Sequence, residues 1–240
     1  MILFPAIDIR DGKCVRLIQG DYSQEKIYGD SPVDMARKWE SLGAEALHLV
    51  DLDGARTGNS LNENMVIDIA STLNIPVQVG GGIRTIQQIE TYLNAGVARV
   101  ILGTAAIKNE ALLKQAVAAY GEKIAVSIDA RNGLVATDGW TETSNMKALE
   151  LIQKLEKLDI KTIVYTDILK DGMLSGPNIK ELAAIQAATN IQVIASGGVT
   201  TITDIAQLRN LEMYGAIIGK ALYDGTLKFE SILEVNSNDI

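Results

Sequence analysis

Ile75-Pro-Val-Gln-Val-Gly-Gly-Gly-Ile-Arg-Thr-Ile86 returns later in the chain as Ile191-Gln-Val-Ile-Ala-Ser-Gly-Gly-Val-Thr-Thr-Ile202, residue against residue and without a gap. Each copy reads as an apolar run closed by Gly-Gly and followed by a helix start. The same offset lays Gly103-Thr104-Ala105 on Gly219-Lys220-Ala221 and Asp51 on Asp167. A slightly longer offset lays Ile7-Asp8-Ile9-Arg10-Asp11-Gly12 on Ile128-Asp129-Ala130-Arg131-Asn132-Gly133. Each half therefore carries Asp, Asp, Gly-Gly and Gly at the ends of four strands.

Working outward from this repeat, β-like runs fall near residues 2–8, 44–51, 75–79, 98–103, 123–129, 160–167, 191–196 and 214–219. Helical patterns lie between them at 32–42, 63–73, 86–94, 110–120, 147–158, 179–189 and 202–210, with a last one near 227–235. Runs such as Thr162-Ile-Val-Tyr165 are apolar on both faces, as parallel strands covered by helices must be. An open doubly wound sheet would fit the alternation but gives no reason for the symmetry. The expected fold is α/β, a single (β/α)8 TIM barrel domain over residues 1–240, with half-barrels of about 1–120 and 121–240.

With 47% hydrophobic residues the chain can bury a sizeable core, and its formal charge of −8 disfavours nucleic acid and anionic membrane as partners. No apolar run reaches the length of a transmembrane helix, and no basic segment with a cleavage site opens the chain, so a cytoplasmic monomer is expected. One cysteine, Cys14, and one histidine, His48, provide neither an internal disulfide nor a zinc set. Carboxylates become the leading acid and base candidates, and neither metal nor cofactor is expected.

In a barrel of this kind, function gathers at the C-terminal strand ends, with phosphate commonly held after strands 7 and 8. Gly197-Gly198 and Gly219-Lys220 stand there; Gly81-Gly82 and Gly103-Thr104 repeat the device after strands 3 and 4. Glycine lets the backbone approach an anion closely, and free N–H groups with a helix dipole stabilise its charge. A single Gly-Gly is ordinarily a tight turn; two symmetric pairs point to a ligand with a phosphate at each end. Lys220 and Arg84 would offset its charge of about −3 to −4.

Asp8 and Asp129 end strands 1 and 5, which face one another across the mouth, a placement suited to general acid and base work on a central sugar. Thr166 and Asp171, at and after the end of strand 6, are further substrate candidates. His48 is either a mouth residue or a satisfied histidine of the barrel wall. Trp140, in the long stretch after strand 5, is either a lid over the substrate or packing on the rim. Asp51 and Asp53 form an Asp-x-Asp without the other oxygen ligands that a metal needs, and loop hydrogen bonding is the better reading for Asp53.

Together Pro5-Ala-Ile-Asp8-Ile-Arg-Asp-Gly-Lys13-Cys-Val-Arg16-Leu, Gln19-Gly-Asp21, His48-Leu-Val-Asp51-Leu-Asp-Gly-Ala55, Gly80-Gly-Gly-Ile-Arg84, Gly103-Thr-Ala, Asp129, Gly139-Trp140, Tyr165-Thr-Asp, Asp171-Gly-Met and Ser196-Gly-Gly-Val make a specific set. In these motifs, over nearly its whole length, the chain resembles the phosphoribosylformimino-aminoimidazole-carboxamide ribotide isomerases of histidine biosynthesis. The resemblance implies a cofactor-free Amadori rearrangement, aminoaldose phosphate to aminoketose phosphate, with Asp8 as base and Asp129 as acid. Arg10 stands where the family frequently has lysine and keeps the charge. The sister cyclase shares the half-barrel plan and both aspartates, but the Pro5–Ile9 opening and the Gln19–Asp21 loop resemble the isomerase. Gly139-Trp-Thr-Glu-Thr-Ser-Asn145 bears no clear mark of the phosphoribosylanthranilate activity that some relatives add. A phosphate-ligand sensor is the non-enzymatic alternative, and the two readings divide at Asp8 and Asp129.

Overall fold

A computed structural model describes residues 1–237. Eight parallel strands form the barrel: β1 Ile2–Arg10, β2 Leu47–Asp51, β3 Val77–Gly80, β4 Arg99–Leu102, β5 Ile124–Arg131, β6 Thr162–Asp167, β7 Gln192–Ser196 and β8 Gly215–Ile218. They pair in chain order, β8 pairs back onto β1 through Ile2↔Gly215 to Pro5↔Ile218, and β5 meets β6 through Thr166↔Asp129. The sheet is therefore closed and has no free barrel edge. Residues 238–240, the end of the expected second half, lie outside the described residues.

Strand alternation divides the apolar residues between two cores. Phe4, Ala6, Ile101, Ala125, Val164, Ile194 and Ile217 pack inside the barrel. Leu3, Ile7, Ile9, Leu47, Leu49, Val77 and Val79 face outward into the larger core beneath the helices. The helices begin where their caps dictate. Ser31 accepts from the Asp34 amide ahead of Pro32–Ser41, with proline in the first turn, where its missing N–H costs nothing. Thr85 with Gln88 and Thr201 with Asp204 form capping boxes at the corresponding points of the two repeated segments.

The main departure from the strand count read off the sequence is a pair of antiparallel hairpins. Lys13–Ile18 and Asp21–Gly29 extend β1 above the mouth. Leu134–Thr137 and Glu142–Lys147 do the same for β5, so the stretch expected as a long loop is largely strand. Their first turns are Asp11-Gly12, with φ of 48° and 73°, and Asn132-Gly133, with φ of 53° and 75°. Two consecutive positive φ values are what a two-residue turn needs to match strand twist, and Asp-Gly and Asn-Gly supply them. The change of offset in the repeat falls in these hairpins, the first of which is the longer.

Candidate active site

The C-terminal strand ends surround a cavity of about 1230 Å³, open mouth included. Two residues beyond Ala6 on the inner face of β1, Asp8 enters it; across the barrel Asp129 enters from β5, paired in register with Thr166 of β6. An Arg16 Nη1 lies 2.9 Å from Asp8 Oδ2. Burial nevertheless outweighs this cation and pushes the Asp8 carboxyl up to about 6, with the neighbouring Asp171 adding to the rise. Burial also raises Asp129, against the opposing effect of hydrogen bonds from Trp140 and Thr166. Asp171 is raised by burial and pulled back by Arg16 and Lys220. Three carboxyls thus share one desolvated site with proton affinities above the ordinary.

Both pairs of glycine loops reach this mouth from opposite sides. Gly81, Gly82, Arg84, Gly103 and Thr104 line the main cavity. Gly197, Gly198, Gly219 and Lys220 line an adjoining cavity of about 340 Å³, and Arg16, Asp171, Ser196 and Ile217 border both. Gly82 and Gly198 have φ of 71° and 86°, and a Cβ on either would fall 2.0 Å from Gly54 O or 2.5 Å from Gly176 O. Backbone packing demands glycine here whatever the ligand. Arg84 is exposed beside Gly58, Lys220 Nζ donates to Gly172 O at 3.0 Å, and Thr104 Oγ1 accepts from the Asp138 amide at 2.9 Å.

The outward-facing aspartates serve a different purpose. Asp51, fully buried, accepts from the Gly54 amide at 2.8 Å and from Asn62 Nδ2 at 2.7 Å. Asp167 accepts from the Leu169 amide at 3.0 Å and from Asn178 Nδ2 at 2.9 Å. These bonds brace the loops after β2 and β6, against whose backbone Gly81, Gly82, Gly197 and Gly198 pack. Asp53 Oδ2 accepts from the Asp11 amide and from Asn62, so its oxygens bind loop groups.

Over residues 2–228 the sequence matches the family described as histidine biosynthesis protein. The chain belongs to that family. Among its relatives is a protein of Oceanobacillus iheyensis named 1-(5-phosphoribosyl)-5-((5-phosphoribosylamino)methylideneamino) imidazole-4-carboxamide isomerase, 63% identical over 98% of each chain. Proteins of the same name from Thermoanaerobacter pseudethanolicus and Ruminiclostridium cellulolyticum are 52% and 53% identical; each match covers 98% of this chain and 99% and 100% of theirs.

In this histidine biosynthesis protein the expected site residues all border the two joined cavities, but the roles of several depend on residues that sequence reasoning did not select. Arg16 is the foremost. It is 8% exposed, and its Nη2 lies 2.1 Å from where a Cβ on Gly219 would stand, so it links Asp8 and Asp171 to the second glycine pair. Tyr22 lines the main cavity with its hydroxyl on Leu52 O at 2.9 Å, and the Arg10 and Arg56 guanidiniums lie 5.2 and 5.7 Å from its ring centroid. Ser127, two residues before Asp129 on β5, and Ser196, at the end of β7, line the same mouth. The available signal for Arg16 was its place inside the otherwise apolar run Cys14–Leu17, once that segment is recognised as a strand buried on both faces.

His48 combines both readings left open by the sequence: it is a buried wall residue and it lines the cavity. Trp140 stands at the tip of the second hairpin with φ of 70°, within the positive-φ run Asp138-Gly139-Trp140. Its side chain meets Asp129, and its carbonyl accepts from Arg131 Nη2 at 3.3 Å. Trp140 therefore roofs the acid candidate.

Proposed function

We propose that this chain is an aldose–ketose isomerase, converting N-(5-phosphoribosylformimino)-5-aminoimidazole-4-carboxamide ribotide to its ribulosyl isomer, the fourth step of histidine biosynthesis. The observation that carries the reading is the pair Asp8 and Asp129, two half-buried carboxyls with raised proton affinity in one cavity flanked by paired glycine loops. The names of its relatives support it. In this reading Gly81, Gly82, Arg84, Gly103 and Thr104 hold one phosphate, and Gly197, Gly198, Gly219 and Lys220 hold the other. The reading takes the chain as a single-domain monomer of two similar halves, with one phosphate site in each half. No helix among the described residues is long and apolar enough to cross a membrane, in keeping with work on a small cytoplasmic substrate.

Burial raises both carboxyls, and the proposed chemistry gives them opposite states, the proton on Asp129 and the charge on Asp8 beside Arg16. Asp129, protonated, gives its proton to the ribose ring oxygen, the C1–O bond breaks, and the nitrogen lone pair makes a Schiff base. Asp8, ionised beside Arg16, then takes the proton from C2; the C–H electrons form the C1–C2 double bond while the C1–N pair returns to nitrogen, and the enolamine becomes the ketone as its 2-hydroxyl loses a proton and C1 gains one. Each positioned transfer contributes about 10²- to 10⁴-fold. Thr166 and Trp140 orient Asp129, and Asp171 faces the substrate hydroxyls between Arg16 and Lys220. Phosphate binding at both ends keeps the opened, flexible sugar in register, using interactions remote from the reacting carbons.

Incubation with the aminoaldose, followed by mass and absorbance, tests the reaction. An isomerase leaves the mass unchanged while the ketose forms. Release of imidazole-glycerol phosphate from the ribulosyl isomer and ammonia would mark a cyclase, and tight binding without conversion would mark a sensor.

A further inference from the structure

Below the mouth, three polar side chains cross the inside of the barrel in a row. His48 of β2 faces Gln78 of β3, with Nδ1 3.1 Å from the Gln78 Nε2. Gln78, only 2% exposed, accepts at Oε1 from Arg99 Nη1 of β4 at 3.1 Å. Arg99 in turn reaches the Tyr214 hydroxyl at 3.4 Å and lies 5.6 Å from the centroid of its ring.

Arginine has only donors, so the Gln78 atom that faces it is the carbonyl oxygen, and the amide nitrogen is left for His48. An amide N–H can only donate. The His48 Nδ1 must therefore accept, and the ring proton resides on Nε2. No other group among the described residues bonds to the imidazole, and its residual exposure opens on the cavity that holds Asp8 and Asp129. Burial and the nearby Arg16 also disfavour the imidazolium, holding its pKa down at about 3.

We infer that Gln78, oriented by Arg99, locks His48 as the Nε2–H tautomer and makes it a neutral hydrogen-bond donor to an oxygen of the substrate's central sugar. This rests on the isomerase reading for the identity of the substrate, but the tautomer does not. A neutral donor can stabilise developing negative charge on oxygen without competing with Asp8 and Asp129 for their protons. Gln78 and Arg99 are positioning residues; neither needs to touch substrate.

Because His48 is the chain's one histidine, nitrogen-15 histidine labelling reports it alone. The wild-type spectrum at neutral pH should show a protonated Nε2 and an unprotonated Nδ1, and addition of the bis-phosphorylated aminoaldose or its ketose should move the Nε2 signal. In Gln78→Glu a carboxylate that only accepts draws the proton to Nδ1, inverting the pattern, and kcat/KM falls about tenfold or more. Thr162→Val removes another hydrogen bond inside the barrel, 3.0 Å to Gln192, and should change neither spectrum nor rate. A wild-type Nδ1–H, an Nε2 signal unmoved by ligand, or full kcat/KM in a folded Gln78→Glu with inverted tautomer would each overturn the inference. A wild type that binds the aminoaldose without converting it would overturn the isomerase reading instead, while the spectra still decide the tautomer.

Discussion

The ring of Trp140 lies so close to Gly20 that a Cβ at position 20 would stand 2.5 Å from it. The tips of the two hairpins thus meet above the mouth, Gln19-Gly20 from the first and Trp140 from the second. Gly20→Ala forces the indole away from Asp129, and Gly20, with φ of 73°, also resists any L side chain. Displacement of one catalytic neighbour lowers kcat/KM by about tenfold to a hundredfold. Acrylamide quenching reports the movement, because the other tryptophan, Trp39, is buried. Unchanged rate and quenching in the variant would show that the indole does not need this seat.

Asp8→Asn and Asp129→Asn each keep a polar side chain and lose the proton transfer. Turnover should fall by about 10²- to 10⁴-fold in each, while calorimetric affinity for the bis-phosphorylated substrate stays within a few-fold. Wild-type kcat/KM should rise with pH through about 6, as Asp8 ionises, and fall again where Asp129 gives up its proton. The rising limb should vanish from the residual activity of Asp8→Asn. Full turnover in both variants would remove these residues from the mechanism.

The same raised proton affinity makes Asp8 a cost to folding at neutral pH. The folded chain binds this proton up to about pH 6, whereas the unfolded chain releases it near the ordinary carboxylate value of 3.8. Between those values the folded state holds more protons, so stability falls as pH rises, and the loss reaches about 3 kcal/mol above the window. Asp8→Asn removes this dependence, although leaving Arg16 without its partner offsets part of the gain. Urea unfolding of both proteins from pH 4 to 7 measures the difference. A difference independent of pH would mean that Asp8 titrates as an exposed carboxyl.

Gly82→Ala and Gly198→Ala place a methyl group against a backbone carbonyl at positive φ. Each should lower stability by about 1–3 kcal/mol, seen as a reduced thermal midpoint, and should weaken binding of the phosphate on its own side. Inorganic phosphate protection of the midpoint separates the two effects: Gly198→Ala retains the site formed by Gly81, Gly82 and Gly103, and the reverse holds for Gly82→Ala. Equal protection of wild type and both variants would detach these loops from phosphate.

Much of the fold was legible because burial imposes a period. Eight apolar runs had to be strands covered on both faces, and the recurring Gly-Gly and Asp marked their ends. Less visible were the hairpins after β1 and β5, although Asp11-Gly12 and Asn132-Gly133 are strong turn dipeptides. Segments such as Asp21–Gly29 are largely exposed, so no apolar alternation announced them. Arg16 escaped notice for another reason: its charge looks like that of a solvated residue until the first hairpin folds it down onto Asp8 and Gly219.

By itself the sequence determined the strand and helix order and the residue types at the mouth, since these follow from local period, turn chemistry and the constraints on glycine. Only the tertiary structure decided which groups meet: that Arg16 bridges Asp8 and the second glycine pair, that Trp140 covers Asp129, and that Gln78 sets the proton on His48. Desolvation and hydrogen-bond direction depend on neighbours distant in the chain. Barrel closure supplies those neighbours, and with them the proton affinities on which the proposed chemistry rests.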